Sequence, residues 1–470
     1  MNSLRFPALA VFLLILTAAP GFGQVCTTTK YQYTMACLPT VVVSSNFSSN
    51  TYDVDPKGNY WNSFYQSPFL ITPSVPFAIG AQYAMQVATA PSAATATGYI
   101  FSFKNGALSA KPADLGPFVS DPPQTLGKQR MFVGVSYQYM NFTKTGGKNV
   151  SSIPFAIEAE DEYFYGSPGG ITGSMSLDMQ SLNTYVAYGV TNRLDLSVII
   201  PWSRAAMTFS TSCPSKAQTY NYYGVTSCTL FDGNTGLSDT NGDQIWDAFI
   251  FGQGSESLTS QGIGDVTVRG KYELKKTDHQ GLAVGLEYRL PTGDPLNFRG
   301  SGATGVRPFL SWGYNGRISP HANIGFQYNG SSKNEVRDNI QYSSADGFTY
   351  SDTLTATKLP DSFTATVGAD FAVTRRLNLD ADLLERVFSD DGSSAFKPSS
   401  FPATPTNPGF QAPVSFTGVD EKSTVILGAK GKLTNHLLFG ASVMIDASNN
   451  GLSYSPSPMV TVSYDFGTTK

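Results

Sequence analysis

Charged side chains that recur at every second position are the first candidates for chemistry in this chain. Between Gly264 and Asp294, charged or polar residues alternate with Val, Tyr and Leu along two arms of roughly ten residues each. Mixed charges on one face could line a pore and orient the polar groups of a solute, or could pair across strands and fill the interior. The candidates in this stretch and in similar alternating stretches further along the chain are Arg269, Lys271, Glu273, Glu287, Arg289, Arg307, Asp370, Asp380, Asp382, Lys430 and Lys432.

A second candidate is an oxygen-rich stretch, DTNGDQIWD, in the longest polar connection. Asp239, Asn241 and Asp243 offer side-chain oxygens at alternate positions, which is the spacing of a calcium loop. Asp247 adds a further carboxylate, but the glycine and the bidentate glutamate of an EF-hand are both missing. The alternative is a polar turn that happens to be rich in aspartate. Weak calcium binding is the one cofactor that the sequence suggests.

Four cysteines form the remaining set of reactive side chains. Residues 1–23 contain a basic residue, an apolar run and small residues, the pattern of a signal peptide. Export would place the cysteines in an oxidising compartment, where they form disulfides. The expected pairs, Cys26 with Cys37 and Cys213 with Cys228, each close a short loop. A metal site is disfavoured because no histidine lies near them.

The sequence disfavours an enzyme and a nucleic-acid-binding protein. It contains three histidines, and none stands beside a Ser, Asp or Cys pattern that would activate a nucleophile. Glycine-rich stretches precede strands rather than helices, so a phosphate-binding loop is not expected. The net charge is −4, and the chain has no basic cluster that would bind a phosphate backbone.

Strands long enough to cross a bilayer must position these side chains. Period-two alternation over about ten residues is typical of membrane β-strands, whose apolar face contacts lipid and whose polar face lines the lumen. The unit of strand, short turn and strand recurs, and its turns, TNR, NGR, TRR and TNH, resemble one another. About twelve strands are predicted, near residues 131, 176, 194, 264, 281, 304, 319, 362, 377, 423, 436 and 457.

Short turns alternate with long polar connections, as in single-chain bacterial barrels. The long connections lie at about residues 143–174, 210–263, 331–360 and 390–422. The predicted fold is therefore all-β, a transmembrane antiparallel β-barrel at residues 131–470. Residues 24–130 form an irregular N-terminal segment that is either a periplasmic extension or a plug, with a hairpin at Tyr99–Lys111.

Two places do not fit a regular barrel. Pro308 falls in the middle of a strand, where it removes a backbone donor, so a local irregularity is expected there. Glu385 and Arg386 are adjacent, so one of them must face outward unless a bulge intervenes or the site lies beyond the bilayer.

Several stretches together resemble the outer-membrane barrel family named for the meta-pathway of phenol degradation. The resemblance rests on LGPFVSDPPQTLGKQRMFVGVSYQYMNF from Leu115, YGVTNRLDLSVIIPW from Tyr188, GIGDVTVRGKY from Gly262 and LEYRLPTGD from Leu286. These pieces come in family order and cover roughly residue 90 to the end. The resemblance implies an outer-membrane transporter with a proposed role in uptake of small, often aromatic, compounds, and it supplies no catalytic motif.

The sequence thus predicts an outer-membrane channel through which small molecules, aromatic or hydrophobic ones among them, pass without energy input. Its partners would be membrane lipid and the solute, and the sequence carries no signal for an oligomeric state. The alternative is a structural or surface-interaction barrel with an occluded lumen.

Overall fold

The fold was analysed in a computed structural model. It describes residues 34–39, 42, 53–54, 60–61, 98–104, 107–112, 122–145, 147–157, 160–161, 164–165, 169–212, 218–222, 225–230, 249–252, 254–277, 279–314, 316–343, 347–374, 376–389, 400–401, 410–411, 421–432, 437–448 and 451–464.

Twelve antiparallel strands form one closed ring, which confirms the predicted fold class. In chain order they are β1 Arg130–Thr145, β2 Gly169–Gly189, β3 Leu194–Ser212, β4 Gly254–Ile263 with Thr267–Lys276, β5 Gln280–Arg289, β6 Gly305–Tyr314, β7 Ile318–Asn329, β8 Ser362–Thr374, β9 Leu377–Phe388, β10 Glu421–Lys432, β11 Leu437–Asp446 and β12 Ser457–Tyr464. Both segments of β4 pair with β3. The ring closes where β12 pairs with β1.

The two ends of the barrel differ in their connections. Short turns join β2 to β3, β4 to β5, β6 to β7, β8 to β9 and β10 to β11. We call this the turn end, and the start of β1 and the end of β12 also lie there. The longer connections meet at the opposite end, the loop end. In single-chain bacterial barrels the short turns face the periplasm.

Smaller elements accompany the ring. Two 3-10 helices lie at Met35–Cys37 and Pro295–Asn297. The connection from β7 to β8 contains a hairpin of Ser331–Ser343 and Gly347–Lys358. The other short strands are Asp53–Val54, Tyr60–Trp61, Lys148–Asn149, Ile153–Ile157, Glu160–Asp161, Phe164–Tyr165, Gln218–Tyr222, Val225–Leu230, Phe249–Gly252, Ser400–Phe401, Phe410–Gln411 and Leu452–Tyr454. Within the described ranges, no helix is long and apolar enough to cross a bilayer.

Strands β2, β3 and β4 extend further toward the loop end than the sequence predicts. β4 begins at Gly254, about ten residues before the expected position, so the predicted connection 210–263 is too long. The first segment of β4, GSESLTSQGI, is polar on both faces. A strand that has left the bilayer needs no apolar lipid-facing row, and its period-two pattern disappears.

The predicted N-terminal hairpin forms, with Gly98–Lys104 paired to Ala107–Pro112. Its first strand also joins the barrel sheet, where Gly98 to Ser102 pair with Gly134 to Arg130 of β1. β12 pairs with β1 only from Ser136 to Gln138. At the turn end, the seam of the ring is therefore completed by the hairpin rather than by the last strand.

The structure shows what happens at the two places that do not fit a regular barrel, Pro308 and the pair Glu385–Arg386. The ladder between β6 and β7 skips Arg307 and Pro308, while the ladder between β5 and β6 continues through Pro308. Glu385 and Arg386 lie on opposite faces of β9, because the register between β9 and β10 has no bulge. Glu385 lies on the outward face near the loop end, where it accepts a hydrogen bond from Ser423 Oγ at 2.5 Å.

Candidate functional site

The period-two pattern separates the strands into an outer and an inner face. On the outer face, Trp202 is 51% exposed and Leu286 is 55% exposed. On the inner face, Arg269 and Glu273 are 3% and 0% exposed. The apolar rows therefore form an outer belt, and the charged rows point into the lumen. This distribution matches a barrel that sits in lipid.

The inner face changes character along strand β3. From Leu196 to Trp202 every even position holds a large apolar residue that faces outward, whereas from Ala205 to Phe209 the buried apolar residues occupy the odd positions. The register between β2 and β3 runs without a shift from Thr172 to Gly189. The strand does not rotate, so its apolar row moves from the outer face to the lumen. On the outer face at this height, the half-buried Thr208 and the exposed Ser257 hydrogen-bond to each other at 2.8 Å.

The same inversion on β1 and β2 creates an apolar wall in the lumen near the loop end. Phe142, Leu177 and Met207 form one row across the three strands. The six side chains of the wall each expose 3% of their surface or less. They are Met140, Phe142, Met175, Leu177, Met207 and Phe209. The wall was not predicted from the sequence, because the inner face was expected to be charged. The detectable signal was the change of phase in the apolar row.

Tyr454 and Met444 continue the apolar surface onto the neighbouring strands. The Tyr454 ring packs edge-on against Phe142, with centroids 6.1 Å apart. Met444 Sδ accepts a hydrogen bond from Gln138 Nε2 at 3.3 Å. Thioethers adapt their shape to varied apolar partners, so a surface of methionine and aromatic rings suits apolar ligands of different outlines.

Nearer the turn end, predicted lumen charges from β4, β5 and β6 meet at Glu287. Its Oε2 lies 2.6 Å from Arg269 Nη2 and 2.6 Å from Arg307 Nη2. Both guanidinium groups also lie over the Phe309 ring, 5.4 Å and 5.5 Å from its centroid. Two guanidinium groups therefore share one carboxylate oxygen. Of the two alternatives weighed from sequence, the geometry at these three residues is that of cross-strand ion pairs.

Residues 122–128, which we call the strap, lie inside the turn end of the barrel. Lys271 Nζ donates to the carbonyl oxygens of Pro122 and Gln124, both at 2.8 Å. Thr125 Oγ1 lies 2.8 Å from Glu273 Oε2, to which it donates. Two predicted lumen residues, Lys271 and Glu273, therefore bind the chain's own N-terminal region.

Further contacts fix the C-terminal half of the strap. The backbone N–H of Leu126 donates to Asp195 Oδ2 at 2.9 Å. The Leu126 side chain packs against Phe132 and Ala187. Pro123 lies over Gly281, where a Cβ atom would be only 2.8 Å from the proline ring. The strap thus narrows the turn end of the lumen.

The N-terminal region also contacts the loop end. The Met35 N–H donates to Asn297 Oδ1 at 3.3 Å, in the connection from β5 to β6. Asp265 holds that connection by accepting hydrogen bonds from the N–H groups of Gly293 and Ser301, at 3.0 Å and 2.6 Å. Arg289, a predicted lumen residue, donates to Asn329 Oδ1 at 2.7 Å in the same area.

The remaining predicted lumen charges, Asp370, Asp380, Asp382 and Lys430, gather on β8, β9 and β10 with His321 of β7. All five are buried. His321 Nε2 lies 2.5 Å from Asp382 Oδ1, and its Nδ1 lies 3.7 Å from Asp370 Oδ2. The proximity of His321 to these four residues was not predicted from the sequence.

Several predictions fall outside the described part of the chain. They concern the calcium loop at Asp239–Asp247, the side chain of Lys432, the signal peptide, and the partners Cys26 and Cys213 of the proposed disulfides. All of these stay predictions.

Twelve antiparallel strands in a closed ring, with an apolar outer belt and charged groups inside, define a transmembrane β-barrel. Comparison with known families gives one match, over residues 255–367, to a family described as "Protein of unknown function (DUF3187)". The match covers less than half of the chain. The findings do not name the phenol meta-pathway family, so that resemblance stays a prediction. No curated protein matches.

Solved structures of similar shape include three outer-membrane proteins. An outer-membrane channel from Pseudomonas putida F1 is 12% identical, with 73% of this chain and 98% of that chain covered and a TM-score of 0.38. A deletion mutant of the monoaromatic hydrocarbon channel TodX is 10% identical, with 74% of this chain and 93% of that chain covered and a TM-score of 0.35. The toluene transporter TbuX of Ralstonia pickettii is 8% identical, with 70% of this chain and 88% of that chain covered and a TM-score of 0.31. Similarity at this level carries no information on function.

Proposed function

We propose that the chain is an outer-membrane channel through which small molecules, aromatic and other apolar ones included, pass by diffusion. The observation that carries the proposal is the apolar wall. Near the loop end the outer face of the barrel is polar and does not contact lipid. The apolar residues on the inner face of this part therefore make their contacts inside the lumen. The resemblance to a barrel family with a proposed role in aromatic uptake supports the same function.

The lumen has a sequence of surfaces suited to such passage. An apolar solute that enters at the loop end reaches the apolar wall, whose packed side chains, Met207 and Phe209 among them, must move apart to offer it dispersion contacts without a hydrogen-bond requirement. Toward the turn end it meets ion pairs and the strap, which bind an apolar solute less well. Affinity that falls along the path favours release on the periplasmic side, and no energy source is needed.

Uptake of a fluorescent apolar probe tests the proposal. The full-length chain is produced in a bacterial host without general porins, and entry of N-phenyl-1-naphthylamine is followed by fluorescence. The chain is expected to accelerate uptake, and Met207→Gln to slow it about tenfold, since an amide left without a hydrogen-bond partner costs roughly 1–3 kcal/mol. Thr208→Gln is the matched control, because its side chain lies on the outer face of the same strand, and it should leave uptake unchanged.

Correct folding of each variant is checked by heat-dependent gel migration. Equal uptake with and without the folded chain would overturn the proposal. So would equal effects of the two glutamine substitutions.

The strap favours one alternative function, a structural barrel with an occluded lumen. Conductance across a planar bilayer distinguishes the two. A channel should conduct, and Lys271→Met, which removes the ammonium that holds Pro122 and Gln124, should raise its conductance. If neither the native chain nor this variant conducts or admits the probe, the structural function is supported.

A further inference from the structure

Four buried ionisable side chains from three adjacent strands meet in the lumen near the turn end. They are His321 of β7, Asp370 of β8, and Asp380 and Asp382 of β9, and none exposes more than 6% of its surface. One ring nitrogen of His321 and one oxygen each of Asp380 and Asp382 lie within 4.8 Å of one another. We propose that this cluster binds one divalent transition-metal cation of the Zn²⁺ type.

Strand register brings the donors together. Asp370 stands opposite Asp380, and Gly368 stands opposite both His321 on one side and Asp382 on the other. A Cβ atom at position 368 would collide with Asp382 Oδ1 and His321 Nε2. Because position 368 has no side chain, the imidazole and the carboxylate can approach each other across the strand between them.

The hydrogen bonds of His321 leave one nitrogen for a cation. Its Nδ1 lies 3.3 Å from the carbonyl oxygen of Ser319, to which an Nδ1–H can donate. Nε2 lies 2.5 Å from Asp382 Oδ1, the separation of a hydrogen bond in which the two atoms share a proton. A Zn²⁺ ion that replaces this proton would hold Nε2 and Oδ1 about 3 Å apart, because Zn–N and Zn–O bonds are about 2 Å long. A histidine that donates one N–H to a carbonyl and offers the other nitrogen is the usual arrangement in metal sites.

The carboxylates also have unused acceptor capacity. Within the described residues, no N–H or hydroxyl group donates to either oxygen of Asp380 or to Asp382 Oδ2. The hydrogen-bond partner of Asp380 is the carboxyl group of Asp370, so these two residues share a proton when no cation is bound. Asp380 is 4% exposed, so its oxygens lie away from bulk water. Buried acceptors without donors are costly, and coordination to a cation removes that cost.

The local charge balance also favours a cation. Lys430 is buried beside the cluster and attracts all three aspartates. One ammonium against three carboxylates leaves an excess of negative charge when His321 is neutral. One imidazole nitrogen with carboxylate oxygens is a donor set for zinc and similar first-row metals, whereas calcium is bound by oxygen alone.

The competing arrangement has no metal. A doubly protonated His321 would then donate Nε2–H to Asp382 and Nδ1–H toward Ser319 and Asp370. This arrangement accounts for the 2.5 Å contact in the absence of a cation, so a binding measurement must decide whether a cation replaces the shared proton.

The first test uses the full-length barrel, unfolded in chelator and refolded in detergent without metal. Titration with Zn²⁺ should show one cation per chain by calorimetry. X-ray absorption of the bound zinc should show nitrogen and oxygen ligands. Either the absence of binding or a shell of water and surface carboxylates without nitrogen would overturn the proposal, and neither readout depends on a variant.

Variants then assign the ligands. Asp382→Asn, which keeps size and shape, should weaken zinc binding by about 100-fold, in line with the loss of a metal-site group. Lys430→Met should tighten binding because it removes a cation next to the metal. His279→Ala is the matched control, since His279 stacks on Tyr314 outside the cluster and its loss should not change binding. Equal affinity of Asp382→Asn and the native chain would contradict the assignment.

Discussion

The two halves of the lumen are built on opposite principles. Near the loop end, β1 to β3 present methionine and aromatic side chains to the interior while the outer face carries Thr208 and Ser257. Near the turn end, β4 to β10 present ion pairs to the interior while the outer face carries residues such as Leu286. Within the bilayer the apolar row must face lipid, so polar groups are left for the lumen. Beyond the bilayer the outside is water, and the same strand can turn its apolar row inward.

The largest effect is expected from a cavity in the apolar half. Phe209 is fully buried, so Phe209→Ala should lower the free energy of unfolding by about 4 kcal/mol, the usual cost of deleting a buried aromatic ring. Denaturant unfolding in detergent micelles measures it. Ser210→Ala on the outer face of the same strand is the control. A loss below about 1 kcal/mol for Phe209→Ala would mean that the apolar half is loosely packed.

In the charged half, loss of a charge should matter more than loss of volume. Glu287→Gln keeps the shape but leaves Arg269 and Arg307 without their shared carboxylate, which should cost about 3 kcal/mol. The same unfolding assay applies. Glu385→Gln on the outer face near the loop end should cost about 1 kcal/mol, the worth of one hydrogen bond. Equal costs would remove the distinction between inner and outer carboxylates.

The position of the boundary between the halves can be tested from outside. Ile200→Arg places a charge in the outer apolar belt and should cost about 2 kcal/mol in a lipid bilayer. Ser257→Arg makes the same change where the outer face is polar, and it should be neutral. The measurement is unfolding from lipid vesicles. A similar cost at both positions would place Ser257 inside the bilayer and refute our account of the inversion.

Among the changes to inward-facing residues, the smallest effect should come from the strap. Lys271→Met removes the donor to Pro122 and Gln124 and should cost about 1.5 kcal/mol, the value for a charged hydrogen bond. The free strap should then be cut faster by trypsin at Lys128. Lys275→Met on the same strand is the control, since its side chain is exposed. Unchanged cleavage in Lys271→Met would show that other contacts hold the strap.

The sequence was sufficient for the strands within the bilayer because lipid imposes a period-two pattern on every one of them. This pattern located twelve strands and placed Arg269, Glu273 and Glu287 on the inner face. It failed at Gly254–Ile263, where water on both sides imposes no pattern. It also pointed only to charge, and so the apolar wall was not predicted.

The grouping of His321 with Asp382 could not be predicted either. These residues are separated by 61 positions, and they meet because register and the missing side chain at Gly368 bring their strands close. A single sequence specifies the face of each residue but not its height along the barrel. The contacts between the strap and Lys271 depend in the same way on long-range placement.

The shared seam has a consequence for biogenesis. The edge of β1 that faces the seam pairs with three segments: Gly98–Lys104 at the turn end, β12 in the middle and Leu452–Tyr454 toward the loop end. Closure of the ring therefore needs the N-terminal hairpin as well as the C-terminal strands. A precursor trimmed before Arg130 would leave the first five residues of β1 without backbone partners on the edge that faces the seam, although the strand stays paired with β2 on its other edge. Residues upstream of the barrel are thus part of its assembly as well as of its lumen.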